Sequence, residues 1–199
     1  MAASTAAAGK LVLRNKCILL GNAGVGKSAI TQMFHSDGTQ YPKTYAMTIH
    51  SEVCVKVVNI PDTSVTVEMF LYDLAGHEVF QEHLPRYCEG AASFMLVYDV
   101  TNMDSFKNLT KWLQIARRGK AGKASQGVLL ANKIDQTSRR VVPSAMGEDF
   151  AKAQGLAYFE CSAANNVDVD APFYFLSNAL HESFEETLRM FVKGGEAAS

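Results

Sequence analysis

Residues 11–20, LVLRNKCILL, run without a break into GNAGVGKSAITQMFHSDG, and no other stretch restricts the possible folds so tightly. The first piece is rich in branched apolar residues and predicts a strand. The second predicts a glycine loop opening a helix, which Gly38 then ends. Gly21, Asn22, Ala23, Gly24, Val25, Gly26, Lys27 and Ser28 match GxxxxGK[ST] between that strand and that helix. Glycines let the backbone wrap until successive N–H groups point at one anion, and the helix N-terminus adds its positive end. Lys27 brings a mobile charge to the outer phosphates, and the Ser28 hydroxyl, followed by Ala29, can ligate Mg²⁺ beside them. A nucleoside triphosphate or diphosphate is the ligand this arrangement predicts.

The remaining elements follow from pattern. SEVCVKVVNI (51–60) and VTVEMFLYD (65–73), separated by PDTS (61–64), predict an antiparallel hairpin. FMLVYDV (94–100) and GVLLANK (127–133) are short apolar runs, the signature of strands covered on both faces. Helices are expected over 104–117, 143–154 and 171–192, with a last short strand in LAYFECS (156–162). In the final helix Phe173, Leu176, Leu180, Phe184 and Leu188 recur at intervals of three and four. Alternating strand and helix implies an α/β fold, a mixed, mostly parallel six-stranded sheet with one antiparallel hairpin strand at its edge and helices on both faces. Ligands in such sheets sit at the carboxyl ends of the strands.

A chain of 199 residues, 48% apolar and 20% charged, fits one domain with a substantial core. We expect a folded domain over 10–193 between flexible tails at 1–9 and 194–199. A formal charge of −1 argues against nucleic acid as a partner. Cys17, Cys54, Cys88 and Cys161 form no CxxC pair, so buried free thiols are expected rather than structural zinc. No apolar stretch reaches the roughly 20 residues of a membrane span. Residue 2 is alanine and FVKGGEAAS contains no cysteine, so no lipid anchor is expected. RRGKAGKASQG (117–127) reads as a solvated basic connection.

Asp73 ends a predicted strand, where a second carboxylate for a magnesium shell is needed, and Gly76 can offer a backbone N–H to a terminal phosphate. Asn132, Lys133 and Asp135 lie in NKID after a buried strand. The Asp135 carboxylate can accept from both the ring N–H and the exocyclic amine of guanine, whereas adenine would leave it desolvated and unpaired. Sites built this way discriminate by several kcal/mol, on the order of 10⁴ or more. The Lys133 stem can cover one face of the ring, and Asn132 can tie this loop to the phosphate loop. Ser162 and Ala163, after the next strand, can lend backbone donors to the keto oxygen.

With GNAGVGKS, DLAGHE, NKID and CSA in this order, residues 10–192 resemble the Ras-like small GTPases. VYDVTNMDSF (97–106) and KWL (111–113) look like the Rab branch. The resemblance implies a P-loop G domain, GTP and GDP with Mg²⁺ as ligands, and GTP hydrolysis involving Lys27, Gly76 and His77. It implies that a switch threonine joins Ser28 and Asp73 at the metal; Thr48 is preferred and Thr44 competes. Tyr41 would edge the guanine ring.

Several positions depart from an ordinary Rab. His50 stands where Rabs usually have glycine, and Tyr72 replaces the tryptophan that precedes the DxxG aspartate in many of them. His77 occupies the place of the glutamine that orients the attacking water. Glutamine offers an acceptor and a donor from one rigid group, whereas imidazole places them on opposite sides of a ring. Slow intrinsic hydrolysis is therefore expected, whether His77 meets the water or is an exposed loop residue. Ala23 adds a methyl where an incoming arginine finger would need room.

SDGTQYPKTYAMT (36–48), the PDTS turn and APF (171–173) are similar to the Rab-like GTPase group of intraflagellar transport complex B. That likeness implies a protein of the cilium or flagellum and the cytoplasm. Its expected partners are the complex's small β-sandwich subunit, in a heterodimer, and other complex B subunits. The 171–192 helix either docks a partner or packs on its own sheet. Two other functions compete: a vesicle-trafficking Rab, and a nucleotide-binding scaffold that does not hydrolyse.

Overall fold

The computed structural model describes residues 11–118 and 125–196. Strand β1 (Leu11–Leu20) leads into helix α1 (Lys27–His35). Next come β2 (Ser51–Asn59) and β3 (Val65–Leu74), then a 3₁₀ turn (Glu78–His83) and the short α2 (Leu84–Cys88). β4 (Ser93–Asp99), α3 (Met103–Lys107), α4 (Leu109–Arg118) and β5 (Gln126–Asn132) follow. A 3₁₀ turn (Thr137–Arg139), α5 (Ser144–Gln154), β6 (Ala157–Glu160) and α6 (Ala171–Glu196) complete the order. The six strands lie in the order β2-β3-β1-β4-β5-β6, antiparallel between β2 and β3 and parallel elsewhere. The expected sheet is the observed one.

Alternate residues of the central strands feed two cores. Cys17 and Leu19 of β1 pack with Met69, Val97 and Leu130 under α1 and α6. Ile18 and Leu20 pack with Leu96, Tyr98, Leu129 and Trp112 on the opposite face. Each fully buried Leu, Ile or Phe side chain contributes roughly 1.5–3 kcal/mol of transfer free energy. Phe34 and Phe173 stack at 4.0 Å and join α1 to α6. The outer edge is less protected: among the described residues no strand lies beyond β2, and Val53, Val55 and Val57 are all exposed. Between them Lys56 turns to the other face, donating to the His35 carbonyl and pairing with Asp37 at 2.7 Å.

Three helical segments differ from expectation. The single helix predicted over 104–117 is two: Asn102 caps the start of α3 by accepting from the Asp104 and Ser105 amides, and a turn at Asn108 separates α3 from α4. The 78–88 helical stretch is too short and irregular to show a period. α6 continues past 192 to Glu196, since Gly194 and Gly195 weaken a helix without clashing as proline would. Its apolar stripe is buried only at first: Phe173 and Leu176 are in the core, whereas Leu188 is 48% exposed because the helix outruns the sheet. Of the predicted basic connection, residues 119–124 lie outside the described residues, as do most of the two predicted tails. All four cysteines are free, three of them buried, and burial raises each thiol's pKa. No helix among the described residues is long and apolar enough to cross a membrane.

The last strand is pinned by a polar network. Glu160 pairs with Arg140 and accepts from the Tyr158 hydroxyl at 2.6 Å, while Tyr158 meets Tyr98 at 3.2 Å. Burial pushes the Glu160 carboxyl up, but hydrogen bonds from Arg140, Tyr158 and Ser144 outweigh it and hold the group low. A carboxyl lowered on folding adds stability that is lost as pH falls through its folded value. Glu160→Gln should therefore cost about 1–2 kcal/mol at neutral pH by urea unfolding. The gap to the unmodified chain should narrow as pH falls below the ordinary glutamate range and close once it passes the lowered folded value.

Candidate nucleotide-binding site

The cleft opens at the carboxyl ends of the parallel strands and encloses about 480 Å³. Ala23, Gly24, Gly26, Lys27, Ser28 and Ala29 form its floor, and residues 41–48 form one wall. Gly76 and His77 close one end, while Asn132, Lys133, Asp135 and Ala163 close the other. Gly21, Asn22, Val25 and Ser162, also expected at the nucleotide, do not line it. Val25 is in the core and Ser162 is buried.

Gly26 caps α1 with φ 101°, and a Cβ there would fall 2.3 Å from Asn132 Nδ2. Only glycine satisfies both demands. Lys27 Nζ folds over the loop and donates to the carbonyls of Gly21 at 2.8 Å and Asn22 at 3.0 Å. Ser28 Oγ donates to Asp73 Oδ2 at 2.5 Å, and Thr48 Oγ1 lies 3.3 Å from that oxygen and 3.1 Å from Ser28 Oγ. Thr44 lines the same cleft, but it is the Thr48 hydroxyl that meets the carboxylate. Asp73 Oδ1 is buried and has no partner among the described residues. Burial lowers the Lys27 ammonium pKa to about 8, with attraction to Asp73 opposing, and the same desolvation raises that of Asp73. Three oxygen-bearing side chains beside an orphaned carboxylate oxygen suit a hard divalent cation such as Mg²⁺.

At the other end, Asn132 donates from Nδ2 to the Val25 carbonyl at 2.9 Å and accepts at Oδ1 from the Ala163 amide at 3.1 Å. The Asp135 carboxylate accepts from Ser162 Oγ at 2.6 Å, which fixes its orientation. Lys133 has a left-handed backbone, φ 69°, and its Nζ donates to the Gly24 carbonyl at 2.8 Å. The same ammonium pairs with Asp99 Oδ2 at 2.7 Å. Sequence reasoning missed Asp99. Its place as the last residue of a buried strand, inside VYDVTNMDSF, was the available signal.

Gly76 touches the phosphate loop directly. Its carbonyl accepts from the Ala23 amide at 3.2 Å, and a Cβ on it would lie 2.4 Å from that nitrogen. His77 is exposed, faces the cleft, and accepts at Nδ1 from the Val79 amide at 3.4 Å, capping the following 3₁₀ turn. His50 has φ 60°, the left-handed region where glycine is favoured. Its carbonyl accepts from the Ala75 amide at 2.9 Å and its ring lies 5.0 Å from that of Phe80. Tyr41 is 47% exposed on the cleft wall, and Tyr72 carries Lys16 over its ring at 4.8 Å.

A sequence profile described as the Ras family matches residues 16–182. The chain belongs to the Ras family. As a member it is a small GTPase, a guanine-nucleotide-binding protein that hydrolyses GTP and for which Mg²⁺ is the usual companion ion. Among its relatives, the intraflagellar transport protein 27 homolog of Bos taurus is 43% identical over 90% of this chain and 96% of its own. Intraflagellar transport protein 27 of Chlamydomonas reinhardtii is 37% identical over 90% of each chain. Rab-10 of Caenorhabditis elegans, also Ras-related, is 37% identical over 83% of this chain and 80% of its own.

Within this Ras-family site, Asp99 is the counter-charge that holds Lys133 against the loop. Charge-assisted hydrogen bonds of this kind are worth roughly 1.5–3 kcal/mol. Asp99→Asn should accelerate GDP release by about tenfold or more. Stopped-flow displacement of a fluorescent GDP analogue measures it.

Proposed function

We propose that this chain binds GTP and GDP with Mg²⁺ through the residues above, hydrolyses GTP slowly, and serves as a Rab-like subunit of intraflagellar transport complex B. The observation that carries the nucleotide reading is the meeting of Ser28, Thr48 and Asp73 in front of Lys27, with one buried Asp73 oxygen unmatched. Ser28 and Thr48 would ligate the cation and Asp73 would complete its surroundings. When bound, the ion neutralises charge on the outer phosphates. Lys27 would leave its loop carbonyls for the same phosphates, exchanging two neutral acceptors for anionic ones. Amides of the loop and of Gly76 would complete the grip. Asp135, oriented by Ser162, would select guanine, with Lys133 along the ring and Tyr41 at its edge.

Slow hydrolysis follows from where the His77 ring is tied. Because Nδ1 accepts a backbone N–H, the neutral ring carries its proton at Nε2. The nitrogen left for the cleft is then a donor, so this tautomer cannot accept from an attacking water. His77→Gln should speed single-turnover GTP cleavage severalfold, about three- to tenfold. An unchanged or slower rate would show that the ring is irrelevant or is itself catalytic.

Identity with the transport proteins of mammals and an alga over about nine-tenths of each chain supports the place in intraflagellar transport. The expected setting is the cilium or flagellum and the cytoplasm, in a heterodimer with the small β-sandwich subunit of complex B. Affinity purification of the tagged chain from ciliated cells should recover that subunit and other complex B members. Recovery of vesicle-trafficking effectors in their place would favour an ordinary Rab.

A further inference from the structure

Asn22 belongs to the phosphate loop, yet its side chain is not part of the cleft lining. Its Oδ1 accepts from the indole Nε1–H of Trp112 at 2.7 Å and from Asn108 Nδ2–H at 3.4 Å. Trp112 is 1% exposed and is the only tryptophan in the chain. Asn108 occupies the joint where α3 gives way to α4, so the helix break and the contact to the loop occur at one residue. One residue before Trp112, Lys111 Nζ lies 3.2 Å from Glu78 of the segment that follows His77. The first turn of α4 therefore touches the phosphate loop on one side and the His77 segment on the other.

We propose that Trp112 and Asn108 are positioning residues for the bound nucleotide, acting through Asn22. This rests on the nucleotide reading above and adds the device that keeps the loop in shape. An amide cradle works only while its N–H groups converge, and a loop carrying Gly21, Gly24 and Gly26 is soft about its own dihedrals. Asn22 immediately precedes Ala23, whose amide sits against Gly76. A stiff, buried indole loses little freedom in holding that turn. Two donors on a single oxygen fix the side chain's direction as well as its distance.

A purely structural account is the alternative. A buried indole N–H needs some acceptor, and Asn22 would then merely satisfy it. The two accounts diverge in nucleotide kinetics. Release of a fluorescent GDP analogue, excited directly, is to be compared for the unmodified chain, Asn22→Ala, Asn22→Asp, Trp112→Phe and the double variant Asn22→Ala with Trp112→Phe. The lone indole also gives a single ¹⁵N–¹H resonance that reports the hydrogen bond. The brace predicts release about five- to tenfold faster in Asn22→Ala and in Trp112→Phe, the loss expected for one ordered hydrogen bond. The double variant should be no faster than the faster single one. Asn22→Asp, which keeps an acceptor for the indole, should leave the Trp112 N–H resonance at its hydrogen-bonded position, unlike Asn22→Ala. The indole resonance should move in Asn22→Ala and on exchange of GDP for a non-hydrolysable GTP analogue. Asn22→Ala carries the test even if Trp112→Phe fails to fold, because Asn22 is only half-buried in a loop. A moved resonance with unchanged release, or fully additive variants, overturns the brace alone. An unmodified chain that cannot retain the GDP analogue overturns the nucleotide reading and the brace with it.

Discussion

Both ends of one amide group, that of Asn132, decide whether this site exists. Its NH₂ reaches back to the phosphate loop and its oxygen reaches across to the loop after β6. Three segments distant in sequence are thereby set at fixed separations by a side chain only 2% exposed. Both groups are shielded from water, so neither can exchange its partner for solvent without a desolvation penalty. The missing side chain at Gly26 belongs to the same arrangement, since the amide occupies the space a Cβ would take.

Around that tie the site divides into a binding half and a hydrolytic half of different character. The binding half is cross-linked, and Lys27, Asp73, Asp99, Asn132 and Ser162 in it are less than a tenth exposed, while Gly24 and Asp135 face solvent. The hydrolytic half lies on the connections after β2 and β3, where His77 is exposed and the chain turns through a short 3₁₀ segment. The residues proposed for binding and those proposed for hydrolysis thus sit on different elements. Parts of a protein that must move come from its less stable segments.

The sheet was legible because buried parallel strands are continuous apolar runs, and those runs end at residues gathered around the cleft. GNAGVGKS, Asp73, NKID and Ser162 could be placed because each follows such a run. Other features were opaque for definite reasons. Asn102 caps α3 through local side-chain bonds, and the break at Asn108 coincides with a side-chain bond to Asn22 of the phosphate loop; periodicity registers neither. Asp99 and Trp112 show their roles only through partners far along the chain, ninety residues away for Trp112. Asn22 was expected at the nucleotide, and what the sequence does not show is that its side chain meets Trp112 and Asn108. His50, noted only as a departure from glycine, stands at a left-handed position, and what its side chain adds there is an edge contact with the Phe80 ring.

The open margin of the sheet carries a liability of its own. β2 presents unpaired main-chain groups beside three exposed valines, the surface on which unrelated copies zip together into aggregates. Lys56, alternating with those valines but turned to the opposite face, sets an inward charge on the edge, the kind of residue that blunts such pairing. Chemistry that erased its charge, such as acetylation, would leave the catalytic apparatus untouched and still shorten the time the isolated chain stays in solution.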